Sequence, residues 1–338
     1  MVSEAPPFWW EPADWRALAL APASYVYGRV AAGRMGRDGK PSVAAPVLCV
    51  GNFTVGGVGK TPVSIAMAEA AQTRGLTPGV ISRGYGGRKR SAHVVDAVRD
   101  SAADVGDEPL LLSRHALVAV SPKRLDAAAA LIERGCNFLI MDDGFQSARI
   151  YYDHVLIVVD AGHGVGNGRV IPGGPLRAPL LEQIRHSDAL LRVGQGEAAD
   201  EVVRLAARAG KPLYDARVQS LEAERLAGRS FLAFAGIGHP QRFFDTLRSG
   251  GAHVAAERVF PDHHVYSGEQ LSALKAEAEK EKLDLITTEK DAVRLGASVL
   301  PKGFAEGLEV LKVAAAFDDL AAPGRIIDGT LQAFRRRN

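Results

Sequence analysis

The chain has 338 residues, a formal net charge of +2, and 47% hydrophobic against 24% charged residues. This is the balance of a packed globular protein long enough for two domains, and with no arginine-rich run or aromatic–basic module it gives no footing for nucleic-acid recognition. Two well-separated cysteines, Cys49 and Cys136, exclude a disulfide framework or cysteine metal cluster and suit a reduced cytosolic setting, and no run of about 18 apolar residues is present to span a bilayer.

All three tryptophans, Trp9, Trp10 and Trp15, fall near the start, followed by Arg16–Leu20 and Tyr25–Val30 with Arg29, Arg34, Arg37 and Lys40 interspersed. The acidic, aromatic beginning is not that of a secretory leader. Pro22 is expected to kink or divide a helix here. Tryptophan, tyrosine and arginine favour a membrane interface, so residues 1–34 read either as a helix lying on a membrane or as a helix packed on its own domain.

Pro46–Val50 is an apolar run of strand length. It leads into Thr54-Val55-Gly56-Gly57-Val58-Gly59-Lys60-Thr61 and then a helical pattern through Val63, Ile65, Met67 and Ala70. Strand, glycine-rich loop ending Gly-Lys-Thr and helix is the phosphate-binding loop of nucleoside triphosphatases. Glycines let backbone N–H groups turn toward phosphate oxygens, and the helix N-terminus adds positive potential. Lys60 is expected on the β- and γ-phosphates of ATP and the Thr61 hydroxyl on Mg²⁺. Thr54 stands where the general consensus has its first glycine.

Pro78–Ser82 reads as a second strand, ending in the loop Arg83-Gly-Tyr-Gly-Gly87. Gly106-Asp107-Glu108-Pro109 opens a helix. Its carboxylates serve either as cap and dipole partners or as a general base and a Mg²⁺ ligand. Leu117–Val120 is a strand, and Ser121-Pro122 is expected to cap a helix through Glu133. Asn137–Met141 is a buried strand running into Asp142-Asp143-Gly144-Phe145-Gln146, the arrangement in which a carboxylate reaches Mg²⁺. After the strand His154–Asp160 comes a glycine-rich stretch ending in Gly174-Pro-Leu-Arg177, where Arg177 is either an anion contact or a surface cation. The second half restarts an alternating pattern at Ser230–Ala235. His263 reads as a catalytic modulator, a metal ligand or a plain loop histidine, and Thr288 with Asp291 reads as a capping box.

The expected fold is therefore α/β: a P-loop NTPase-like, mostly parallel sheet with helices on both faces over residues 35–222, a smaller α/β domain over 223–338, and the N-terminal segment 1–34. Ligands should gather at the C-terminal ends of the strands.

Together these pieces resemble the tetraacyldisaccharide 4′-kinase (lipid A 4′-kinase) family over nearly the whole chain. The marks are Thr54–Pro62, Arg83–Gly87, Gly106–Pro109, Val120–Pro122, Asp142–Gln146, Gly166–Gly168, Gly174–Arg177, Ala235–Pro240, Asp262-His263 and Thr288–Ala292. The resemblance implies ATP-dependent phosphorylation of the 4′-hydroxyl of a tetraacyldisaccharide 1-phosphate at the cytoplasmic face of the inner membrane. It implies a peripheral attachment through the N-terminal helix, and two α/β domains joined by a short β linker. It implies Asp107 as base, His263 as its partner, and Mg²⁺ held among Thr61, Glu108, Asp142 and Asp143. Arg83, Arg124, Gln146 and Arg177 would contact phosphate or substrate. Ala178 and Ser147 depart from the Glu and His that the family favours there. The rival readings are a partitioning or metallochaperone-type P-loop ATPase, which would carry Lys where Val55 stands, and a nucleotide-dependent membrane scaffold, which would not need Asp107 and His263.

Overall fold

The computed structural model describes residues 5–147, 149–296 and 300–338, so residues 1–4 of the expected membrane segment lie outside the described residues. A single 3₁₀ turn, Pro7–Trp9, precedes α1 (Trp15–Ala19) and α2 (Ala21–Met35). Asp14 caps α1 by accepting from the Arg16 and Ala17 amides. The break falls at Leu20, and Pro22 sits in the first turn of α2, where its missing N–H is no loss.

The first unit then runs β1 (Val47–Gly51), α3 (Lys60–Thr73), β2 (Pro78–Ser82), β3 (His93–Val94), α4 (Ala102–Val105), α5 (Asp107–Leu112), β4 (Leu117–Val120), α6 (Arg124–Glu133), β5 (Phe138–Asp142) and β6 (His154–Asp160). It continues through α7 (Leu180–Arg185), β7 (Ala189–Val193), α8 (Asp200–Arg208) and β8 (Leu213–Ser220). The expected Ser-Pro cap of α6 is displaced: the helix begins at Arg124 with Lys123 at its cap, and the Ser121 hydroxyl instead accepts from the Lys123 amide in the turn ahead of it.

The second unit holds α9 (Ala223–Leu226), β9 (Ser230–Ala235), α10 (Pro240–Ser249), β10 (His253–Val259), α11 (Gly268–Glu281), β11 (Asp284–Thr288), α12 (Glu289–Leu295) and β12 (Leu308–Leu311). Its four strands are parallel in the order β10-β9-β11-β12. The chain then returns through β13 (Val313–Phe317) and α13 (Ala322–Arg337). This amends the expectation that 223–338 form the second domain. β13 pairs antiparallel with β8, and α13 packs on α3 and β6. The cause is burial: Ala315, Phe317, Ile326 and Ile327 all enter the core of the first sheet. The two chain crossings are also bonded to each other, with the Leu221 amide donating to the Lys312 carbonyl at 3.0 Å.

The first sheet has the order β13-β8-β7-β6-β1-β5-β2-β4-β3, parallel except at its two edges. Apart from residues at their ends, its central strands are apolar, as strands covered on both faces must be. Their residues alternate between two cores: Leu48 and Val50 face α3, α5 and α13, while Val47 and Cys49 face α2, α6 and α7. β1 lies between β5 and β6, so the crevice at its C-terminal end is the switch point where ligands bind in open α/β sheets.

Candidate active site

The phosphate loop leaves β1 at this crevice. Gly59 takes φ +84° as the cap of α3, a conformation that L side chains rarely adopt, and the helix starts at Lys60. Val58 is buried in the core beneath and anchors the loop. Val55 donates its amide to the Pro175 carbonyl at 2.9 Å and packs against Phe8, Trp9 and Ala17 of the N-terminal segment. Lys60 Nζ donates to Asn52 Oδ1 at 3.1 Å and lies 3.6 Å from Asp143 Oδ1. Thr61 is buried in the first turn of α3, the place expected of it.

Asp142 ends β5 in register with Val50 of β1. It is buried, with Ser64 Oγ donating to its Oδ1 at 3.0 Å. Burial, with the charges of Glu108 and Asp143, pushes its carboxyl up to about 7 against the opposing pull of Lys60. Asp143 takes the left-handed region at φ +51°, backbone strain of the kind that gathers at functional sites. Burial pushes its carboxyl up, but Lys60 and Arg177 outweigh this and hold it below the usual range.

An under-neutralised buried carboxylate beside two further acids has the donor chemistry that a hard divalent cation takes. Among the described residues no preformed group of three metal-ligating side chains exists. Mg²⁺ at phosphate sites needs only one or two carboxylates besides water and phosphate oxygens, so Thr61, Asp142, Asp143 and Glu108 fit it. The folded pKa of Asp142 lies above its unfolded one, so ionisation opposes folding progressively from about pH 4 to about pH 7. In metal-free buffer at pH 8, Asp142→Asn keeps an acceptor for Ser64 and should raise the melting temperature by roughly 2–6 °C. A fall of several degrees in thermal unfolding would count against this account.

Asp107 opens α5 and is almost completely buried. Gly106 before it takes φ +95°, and a Cβ there would lie 2.5 Å from the Tyr85 carbonyl, so the close seat of the Arg83–Gly87 loop requires glycine. Asp107 Oδ2 accepts from Arg294 Nε at 2.9 Å, is also bonded by Arg294 Nη2, and lies 3.1 Å from His263 Nδ1. Its Oδ1 accepts only the Glu108 amide among the described contacts, leaving a lone pair free. Burial pushes the Asp107 carboxyl up, but the His263 hydrogen bond and the charges of Arg294 and Lys290 outweigh it and hold the group ionised. The same hydrogen bond raises His263 above its ordinary value, burial opposing. His263 also sits at positive φ, +58°, with its ring 5.7 Å from that of Tyr85. Residues of both units thus meet at Asp107.

Two further site residues had no role assigned from the sequence: Lys290, inside the Thr288–Ala292 mark, and Arg294, outside every mark. Both lie on α12. Lys290 Nζ bonds Glu108 Oε1 at 2.5 Å, and Arg294 Nη1 also reaches Asp291 and the Gly236 carbonyl, at 2.9 and 2.6 Å. The Thr288–Asp291 cap is present, but only as the Thr288 half. The Asp291 carboxylate accepts from Gly236, Tyr266, Thr288 and Arg294 instead of closing the box.

The remaining expected contacts sit nearby with specific partners. Arg177 forks onto Asp143 at 2.6 and 3.2 Å and donates to the Thr54 carbonyl. Arg124 is buried, donating to the Asp143 carbonyl at 2.9 Å. The Gln146 amide donates to the Asn52 carbonyl and Gln183, a scaffold arrangement beneath the phosphate loop. Arg83 is exposed at the end of β2. Ala178 is fully buried, and Ser147 accepts from Arg124 at 3.5 Å.

A phosphate loop at a sheet switch point, facing acids and a clamped carboxylate from which a second unit hangs, defines a P-loop phosphotransferase. The comparisons narrow this. The family model described as tetraacyldisaccharide-1-P 4′-kinase matches residues 16–332. Proteins named tetraacyldisaccharide 4′-kinase from Mesorhizobium japonicum and Brucella anthropi are 56% and 53% identical to this chain, each over 100% of it and 99% of the relative. The crystal structure of LpxK from Aquifex aeolicus in complex with ATP superposes with a TM-score of 0.72 at 25% identity, covering 93% of this chain and 99% of that one. The chain belongs to the tetraacyldisaccharide-1-P 4′-kinase family.

Proposed function

We infer that this protein transfers the γ-phosphate of ATP to the 4′-hydroxyl of a tetraacyldisaccharide 1-phosphate, a step of lipid A biosynthesis. The observation that carries the reading is the junction at Asp107, where an ionised carboxylate with one free lone pair is gripped by a histidine and an arginine from the opposite unit, next in sequence to Glu108, which feels the charge of Lys60 of the phosphate loop. A sugar hydroxyl is a weak acid, so a positioned carboxylate assists by taking its proton as the O–P bond forms. Asp107 Oδ1 accepts that proton, and His263 and Arg294 keep the side chain fixed throughout. Lys60 neutralises the phosphate oxygens, and the backbone N–H groups of Gly56–Thr61 cradle them. Mg²⁺, held among Thr61, Asp142, Asp143 and Glu108, would supply charge neutralisation to the phosphates when bound.

The acyl chains of the substrate belong in a bilayer, and the exposed face of α1 and α2 supports docking there. Buried residues of α2 follow 24, 28, 31 and 35, while Pro22, Val26, Arg29 and Val30 turn outward. Among the described residues no helix is long and apolar enough to cross a membrane. Peripheral attachment at the cytoplasmic face of the inner membrane, where ATP is supplied, accommodates both facts. The test is incubation with labelled ATP, Mg²⁺ and the disaccharide 1-phosphate in mixed micelles. A bisphosphorylated lipid is expected; ATP consumption with no labelled lipid would point to the partitioning-type or scaffold readings.

A further inference from the structure

We propose that Lys290 is the cation that the second unit contributes to the transferring phosphoryl group, an inference that rests on the phosphotransferase reading above. Lys290 is the second residue of α12, the end of a helix where the backbone already carries positive partial charge and a lysine is locally disfavoured. Something outside the helix holds it there. Its ammonium bonds Glu108 at 2.5 Å and lies in the field of Asp107 and Asp142 as well. Glu108 in turn feels Lys60 of the phosphate loop. Glu108 is therefore bonded by an ammonium of the second unit and feels the charge of one in the first.

The other cations around this point are engaged. Arg177 is forked onto Asp143, Arg124 donates to the Asp143 carbonyl, and Arg294 is shared between Asp107, Asp291 and the Gly236 carbonyl. Lys290 has a single described partner for its three N–H donors, and its side chain is partly exposed. The second unit also rests against the phosphate loop itself, since a Cβ at Gly238 would lie 4.0 Å from the Gly57 nitrogen. A phosphoryl group in flight spreads charge over three equatorial oxygens, and a cation delivered from a separate unit stabilises it. Lys290 is such a cation, carried by the second unit and bonded to the residue next to Asp107.

The rival role is a latch, in which the Lys290–Glu108 pair only holds the units together. Lys290→Met and Lys290→Arg separate the two in the full chain. The probes are kcat at saturating Mg²⁺-ATP, affinity for ADP, affinity for ADP with fluoroaluminate, and thermal unfolding. Lys290→Met is expected to lower kcat by about 10²–10³-fold and to weaken ADP-fluoroaluminate binding at least about tenfold. ADP affinity should stay within about threefold, and Lys290→Arg should recover most of the loss. Unchanged fluoroaluminate affinity, or a kcat loss matched by equal losses in ADP affinity and melting temperature, overturns the proposal in favour of the latch. If wild-type protein phosphorylates no disaccharide, the acceptor reading fails, and the fluoroaluminate comparison still decides the role of Lys290.

Discussion

Asp107→Asn should lower lipid phosphorylation by about 10³-fold or more while ATP affinity changes less than about threefold. The substitution keeps the side chain's volume and an acceptor for the Glu108 amide, but removes the charge that Arg294 and His263 face. Arg294 keeps Asp291 and the Gly236 carbonyl, so the fold survives with reduced stability. Asp107→Ala should be equally inactive. The nucleotide rests on the phosphate loop, whose Lys60 is bonded to Asn52 and pairs with Asp143, so ATP binding is not expected to follow activity down. Single-turnover transfer with labelled ATP, beside equilibrium ATP binding, makes the comparison. Wild-type turnover in either variant would remove Asp107 from the chemistry.

Removing the apolar outer face of α1 and α2 should sharply weaken attachment to vesicles. Trp15 (75% exposed), Leu18 (58%), Val26 (63%) and Val30 (51%) present their side chains to the outside. Each inserted side chain contributes about 1 kcal/mol or more of transfer free energy, so replacing all four with serine should weaken binding by about 10²–10³-fold. Arg29 and Arg34, also exposed, should make the remaining binding depend on anionic lipid. Deleting residues 1–34 is a poorer test than it looks from composition. Phe8, Trp9 and Ala17 form a small core with Val55 of the phosphate loop, and the Trp9 indole donates to the Pro172 carbonyl at 3.0 Å. Truncation would therefore disturb the nucleotide site along with the exposed face. Cosedimentation of the fourfold variant with vesicles of neutral and anionic composition isolates the surface; undiminished binding would rule it out as the docking face.

The phosphate loop was legible because its chemistry is local: strand, glycines, Lys60 and Thr61 are contiguous. Asp142 was legible for the same reason, standing at the end of an apolar strand. Asp107 and His263 carried no local mark that separated them from a helix cap and a loop histidine, and it was the order of motifs along the chain that pointed to them. Lys290 fell inside the Thr288–Ala292 mark without a role attached to it, and Arg294 lay beyond reach. They meet Glu108 and Asp107 across 182 and 187 residues of chain, and a lysine in a first helical turn looks like any solvated cation. The return of the chain at β13 was hidden too. β12 and β13 are separated only by Lys312, and no residue type announces that a strand has passed from one sheet to another.

That one-residue passage has a mechanical consequence. Lys312 on the way back lies directly against Leu221 on the way out, so both covalent ties between the units cross at the same spot. Two bodies tied at one spot can rotate about it but cannot slide apart. Lys290, Arg294 and His263 all ride on the far side of that pivot, so they travel as a single lever arm. Any turn about the pivot would carry all three toward or away from the acids of the first unit at once. Lengthening either tie by a few glycines would loosen that pivot without altering a single residue of the site.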